Sequence, residues 1–236
     1  MQKFKNLHLW MIIPLLLIQL GIFRFYWPKF TTTPWEFHIH FWLVTAWLIL
    51  MIFQPYLITI KKVEQHRMIG MLGLIIAGGI IFTSISLLDV PLKRIANGAP
   101  GPPPPFFYGT LVIEFFLAWL YAFSVVQAIR FRKNLNEHAW WMICSVFFLM
   151  MPAIGRGMII FWRNILPPEK LNPMLISISA EIIFIPVVLI YAIRFGKVKH
   201  LATILVLLTV ILRMLRVPIG SSEIVQGILE TMIKWN

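Results

Sequence analysis

Six residues of this 236-residue chain combine reactive type with suggestive spacing: His40, His66, Glu114, His138, Arg156 and Glu181. Arg156 sits deep in the apolar run from His138 to Trp162. A guanidinium there must face protein or water rather than lipid. Glu114 and Glu181 are the only acidic residues well inside other apolar runs. Two carboxylates against one guanidinium leave a negative charge, which a proton, a metal ion or a substrate cation must neutralise. An imidazole from His40 would complete a His/Glu/Glu donor set suited to zinc, iron or manganese. The plainer alternative is that one glutamate pairs with Arg156 and ties two helices together.

His66 and His138 form a second candidate set, each at the start of an apolar run. Histidines on separate helices at equal depth can ligate a haem iron from both sides. Histidine also favours the membrane interface for its own sake, and the terminal positions of His8 and His200 agree with that plainer reading. His138 and Arg156 are 18 residues apart, five whole helical turns. They share one face, with Ser145 and Pro152 at heptad spacing between them.

These residues must be positioned by membrane-spanning helices. The chain is 59% hydrophobic, only 13% charged, and has a mean hydropathy of +0.83. Repeated apolar runs of about 20 residues predict an all-α polytopic transmembrane bundle. About seven spans are expected, near 8–27, 38–60, 67–88, 106–130, 138–162, 173–194 and 200–217, making residues 1–217 one helical domain. The first resembles a signal peptide, but bulky GIFRFYW follows in place of a small-residue cleavage site, so it reads as a retained span. The tail, 218–236, alternates apolar and charged residues as an interfacial amphipathic helix does. The connector GAPGPPPPFFYG, 98–109, favours extended polyproline geometry and reads as a stiff cap on the bundle.

Heptad spacing places further residues on common stripes. His40, Trp47 and Gln54 share one, with His38 pointing elsewhere, and Glu114 is followed seven residues later by Tyr121. His66, Gly70, Gly73 and Ala77 make a small-residue face suited to close helix packing. With the N-terminus cytoplasmic, inner segments carry eleven Lys and Arg against nine outside, which sets the orientation. His40, Glu114, Arg156 and Glu181 then all fall in the outer half, and His66 and His138 on the inner side.

The net charge of +12 resides in short loops that meet lipid head groups. No basic domain exists for nucleic acid. Cys144, the single cysteine, lies in an apolar run, which excludes an intramolecular disulfide and a thiolate cluster. A retinal Schiff base lacks its buried lysine, and no nucleophile-elbow pattern supports a hydrolase.

The order His40, Gln54, His66-Arg67 with Gly70, His138 with Trp141-Met142, then Arg156 resembles the bacterial membrane-protein family called domain of unknown function 2306. The likeness spans residues 38–160 and implies a polytopic helical protein of the bacterial inner membrane without an assigned activity. A more distant similarity is to cytochrome b561-like haem proteins, which use paired histidines near opposite membrane faces. His66 and His138 fit an inner pair; the outer pair fails, because Glu114 occupies the fourth helix in place of a histidine. Together these point to a metal- or haem-binding membrane protein with a redox or assembly role, with haem b or a divalent metal held by His66, His138 and Arg156, or by His40, Glu114 and Glu181. The alternatives are a proton- or cation-coupled transporter and a structural subunit of a membrane complex. The expected partners are the lipid bilayer and a membrane-protein partner or second copy.

Overall fold

Backbone in hydrocarbon must satisfy its hydrogen bonds within its own segment, so each apolar run folds as a helix. The computed structural model describes residues 4–97 and 103–234, and among them there is no strand. The helices are α1 (Leu7–Trp10), α2 (Ile12–Tyr26), α3 (Trp35–Thr59), α4 (Val63–Ser86), α5 (Asp89–Ala96), α6 (Pro104–Arg130), α7 (Leu135–Arg163), α8 (Pro173–Arg194), α9 (Leu201–Met214), α10 (Arg216–Gly220) and α11 (Glu223–Lys234). Six segments are long and apolar enough to cross a bilayer: Leu7–Thr32, Trp35–Thr59, Val63–Lys93, Pro104–Arg130, Leu135–Arg163 and Pro173–Arg194. The protein is an integral membrane helical bundle.

The seventh span is shorter than the sequence suggests. Fourteen residues of α9 rise only about 21 Å, against a hydrocarbon core of about 30 Å. Its axis breaks at Leu215, and α10 continues for five residues toward the same face.

The bundle is arranged around α7, which packs against α2, α3, α6, α8 and α9. Over half of its apolar window, 56%, is buried, against 17–39% in the other five spans. Its side chains from Trp140 to Met151, Cys144 among them, form the middle of the core. At the other extreme, α4 lies on the periphery, and Met71, Ile75 and Phe82 on its outer side are exposed where lipid covers them.

Neighbouring spans run antiparallel through short loops, so polar ends gather at two faces. At the face holding the N-terminus, Phe4 stacks on Phe195 and the Thr59 hydroxyl donates to the Lys5 carbonyl at 3.4 Å. The loop after α8 turns through Gly196 at φ 67°, a left-handed helix end that glycine adopts without steric cost. At the far face, α11 seats Val225, Leu229 and Ile233 around Leu92 of α5 and Tyr108 and Leu111 of α6. Its other side exposes Ile224 and Ile228, as expected of a helix lying in the interface. The start of the proline-rich connector, 98–102, lies outside the described residues. Pro103 is extended, and Pro104 and Pro105 begin α6, where a missing N–H leaves no hydrogen bond unmade.

Two glycine contacts fix the closest crossings. Gly157 of α7 meets Gly21 of α2, where an added Cβ would come within 3.0 Å of the facing Cα. On the other side of the bundle, a Cβ on Gly109 of α6 would overlap the Arg216 carbonyl oxygen, and one on Gly220 of α10 would overlap the Pro105 carbonyl. Gly109→Ala should therefore force α10 off α6 and lower the unfolding temperature of detergent-purified protein, at a cost of about 2–3 kcal/mol. Gly78→Ala, where a methyl meets open space, should be neutral or stabilising by up to about 1 kcal/mol through helix propensity. Paired thermal melts of the two variants provide the check.

Candidate functional site

The stripes seen in the sequence face one another. On α3, His40, Trp47 and Gln54 each find a partner on α4 or α7, and on α6 Glu114 and Ala128 meet α7 while Tyr121 meets Trp47 of α3. The result is a polar column through the bundle, built in three layers that lie seven residues apart on α3 and α6.

The layer nearest the N-terminal face holds the two histidines. The rings of His66 on α4 and His138 on α7 lie 6.4 Å apart between centres and nearly perpendicular, at 83°. Both are half-buried. His138 Nδ1 donates to the Ala128 carbonyl at 2.8 Å, which leaves its Nε2 as the lone-pair nitrogen of the neutral ring. Gln54, buried on α3, fixes the other ring. With its amide oxygen accepting from the Gly70 N–H at 3.1 Å, its NH2 group donates to the His66 carbonyl, also at 3.1 Å, and faces His66 Nδ1. The amide assignment rests on this hydrogen-bond pattern. Gly70 thus serves the amide rather than helix packing. Gly73 and Ala77 do pack, with Leu50 and Trp47 lying 3.6 Å and 3.9 Å from the Cβ position of Gly73.

The middle layer is Trp47, Tyr121 and Ser145, all essentially without exposure. Trp47 Nε1 donates to the Ser145 hydroxyl at 3.3 Å, and that hydroxyl donates to the Met142 carbonyl at 2.7 Å. Tyr121 meets the Trp47 ring edge-on at 5.6 Å. Its hydroxyl is buried without a protein partner.

The far layer contains Arg156, Glu114, Glu181 and His40, as expected, but they are distributed differently. Arg156 Nη2 lies 3.7 Å from Glu114 Oε1, with both side chains partly exposed at 44% and 31%. Glu181 instead takes Arg213 of α9, whose Nε donates to Oε1 at 2.5 Å, and this pair is buried, at 5% and 8%. His40 Nδ1 donates to the Thr83 hydroxyl at 2.9 Å while Thr83 itself donates to the Gly79 carbonyl at 2.8 Å. His38 points away and bonds Tyr26 at 2.6 Å. The His40, Glu114 and Glu181 donor set is not assembled: each carboxylate is occupied by a guanidinium, and among the described residues no three His, Cys, Asp or Glu side chains gather.

The charge count also changes sign. Arg213 and Arg216 belong to the polar interior rather than to an outer segment, being 6% and 5% exposed. Three guanidiniums now stand against two carboxylates, so the layer carries a net positive charge where a negative one was expected. Nothing in the local pattern around Arg213 announces Glu181 as its partner. The only usable signal was spacing, since three residues separate Arg213 from Arg216 and put both on one helical side.

A second cluster went unnoticed near the N-terminal face. Glu137 bonds Lys197 Nζ at 2.6 Å and His200 Nε2 at 2.7 Å. His200 Nδ1 accepts from the Ala202 N–H at 3.0 Å, so His200 caps α9. This explains a histidine at that position by structure, apart from the His66 and His138 pair. Compared with protein-family models, curated proteins and solved structures, the chain has no significant match.

The two ion pairs of the far layer make a direct comparison. Glu181→Gln removes a carboxylate from a buried guanidinium and should destabilise the protein by about 3 kcal/mol or more. Glu114→Gln acts on a wetter, longer pair and should cost under about 1 kcal/mol. Thermal denaturation in one detergent, with both variants side by side, measures the difference.

Proposed function

We propose that this integral membrane protein holds a single metal centre, either haem b iron or a divalent metal ion, between His66 and His138, and that it has a redox or assembly role. The observation carrying the proposal is the ring separation. A metal bridging two imidazoles at the usual metal–nitrogen distance of about 2.0–2.1 Å leaves the ring centres roughly 6 Å apart; here they are 6.4 Å apart. The placing of His66 and His138 resembles the inner histidine pair of cytochrome b561-like proteins and suggests the same two residues. In the bacterial inner membrane, with the N-terminus cytoplasmic, the pair would lie on the cytoplasmic side.

The surrounding residues fit such a centre. Ala128 holds His138 in the tautomer whose Nε2 can coordinate. At His66 the Gln54 NH2 group faces Nδ1, which favours the proton on Nε2; ligation through Nε2 requires the amide to turn and present its oxygen to Nδ1–H. Haem iron held there would supply one-electron chemistry, and a zinc ion, which has none, would fit the assembly role instead. Trp47 and Tyr121 lie one heptad deeper in the same column and exclude water from it.

Protein purified in mild detergent should show either a Soret band or about one metal ion per chain by elemental analysis. His66→Ala and His138→Ala should each abolish it. His40→Ala and His200→Ala, which alter histidines hydrogen-bonded elsewhere, should retain it. A colourless protein without stoichiometric metal would overturn the assignment.

A further inference from the structure

We propose that the far layer of the column is an anion-binding site in which Arg216 receives a phosphate or carboxylate group. This site is separate from the histidine pair and does not depend on it. Arg216 is 95% buried by its 5% exposure. Its Nε donates to the Arg213 carbonyl at 2.7 Å, and its guanidinium carbon lies 4.8 Å from the centre of the Phe106 ring. Its Nη2 is buried and meets no hydrogen-bond acceptor of the protein.

The neighbouring carboxylates do not fill this need. Glu181 gives Oε1 to Arg213, and Glu114 lies against Arg156. Both act on Arg216 only through space. Glu181 Oε2 is also buried without a partner, so the layer keeps one acceptor as well as the free donor. A methyl on Gly155 would lie 3.2 Å from Arg213 Nη2, so the Arg213 guanidinium reaches α7.

The Arg216 side chain is held by its Nε bond to the Arg213 carbonyl and by the Phe106 ring. Its backbone is clamped on α6, where the glycine contacts at Gly109 and Gly220 leave no clearance. A guanidinium N–H buried without an acceptor is unfavourable, whereas an oxyanion accepting guanidinium hydrogen bonds there removes the penalty. Arginine has the planar fork for this geometry, and lysine does not. The anion can come from a phospholipid head group entering from the membrane or from a small soluble phosphate or carboxylate.

The full chain in a neutral detergent tests this by its unfolding temperature. Inorganic phosphate, acetate and phosphatidylglycerol in mixed micelles are titrated separately against chloride of equal ionic strength. At least one should raise the wild-type unfolding temperature by roughly 3 °C or more, saturably. Phosphatidylglycerol alone would identify the membrane source, and phosphate or acetate the soluble one. Arg216→Gln should weaken the response at least tenfold, and Arg216→Lys, which keeps the charge if the former fails to fold, should also weaken it. Arg132→Gln, altering an exposed arginine in the loop after α6 at the opposite face, should leave the response unchanged. No stabilisation of wild type beyond chloride by any of the three would overturn the proposal, as would an unchanged response in Arg216→Lys.

Discussion

A charged or strongly polar side chain inside a hydrocarbon slab seeks another polar group of the protein, on its own helix or a neighbour, because lipid supplies none. That constraint organises this bundle. On α3 the stripe is His40, Trp47 and Gln54; on α6 it is Glu114, Tyr121 and Ala128; on α7 it runs from His138 through Ser145 to Arg156. Because α7 runs antiparallel to α3 and α6, its order is reversed, and each layer receives members from several helices. Arg156 meets Glu114, Ser145 meets Trp47, and His138 meets the Ala128 carbonyl and the ring of His66. Seven-residue spacing keeps three such meetings on one line through the core.

The two ends of the column differ in chemistry. The end with the histidines is close to neutral, its rings oriented by a backbone carbonyl and by the Gln54 amide. The opposite end is a charged network whose guanidiniums outnumber its carboxylates. Between them, Trp47, Tyr121 and Ser145 form a dry layer with few hydrogen-bonding options. Such a layer, with all three side chains essentially without exposure, stands between the two ends. Close glycine crossings at Gly21 with Gly157 and at Gly109 with Arg216 hold the helices in the register that this layering needs.

Much of this arrangement was legible before any coordinates. Apolar run length alone located the spans, and heptad counting placed His40, Trp47 and Gln54 on one stripe and Glu114 with Tyr121 on another. Antiparallel threading then put His66 with His138 at one end and Arg156 with Glu114 at the other. Depth along a helix follows from position in the sequence, because rise per residue is fixed. The partner of Glu181 was not legible. Arg213 lies near the outer end of the seventh span, and its direction depends on how the short α9 packs against α8 and α6. The net charge of the layer reversed for the same reason.

What the sequence determined by itself was therefore one-dimensional: which segments cross the membrane, how deep each polar residue lies, and which residues of one helix share a face. These follow from hydrophobicity and from helical geometry, both local properties. Only the tertiary structure decided azimuth, meaning which stripe turns toward which neighbour. It brought Gln54 to His66, gave Glu181 to Arg213, set His200 as a helix cap against Glu137, and buried Arg216 against Phe106. Azimuth is set by side-chain packing between helices far apart in the chain, where close contacts such as Gly109 on Arg216 select one rotation among several that hydrophobicity alone leaves equivalent.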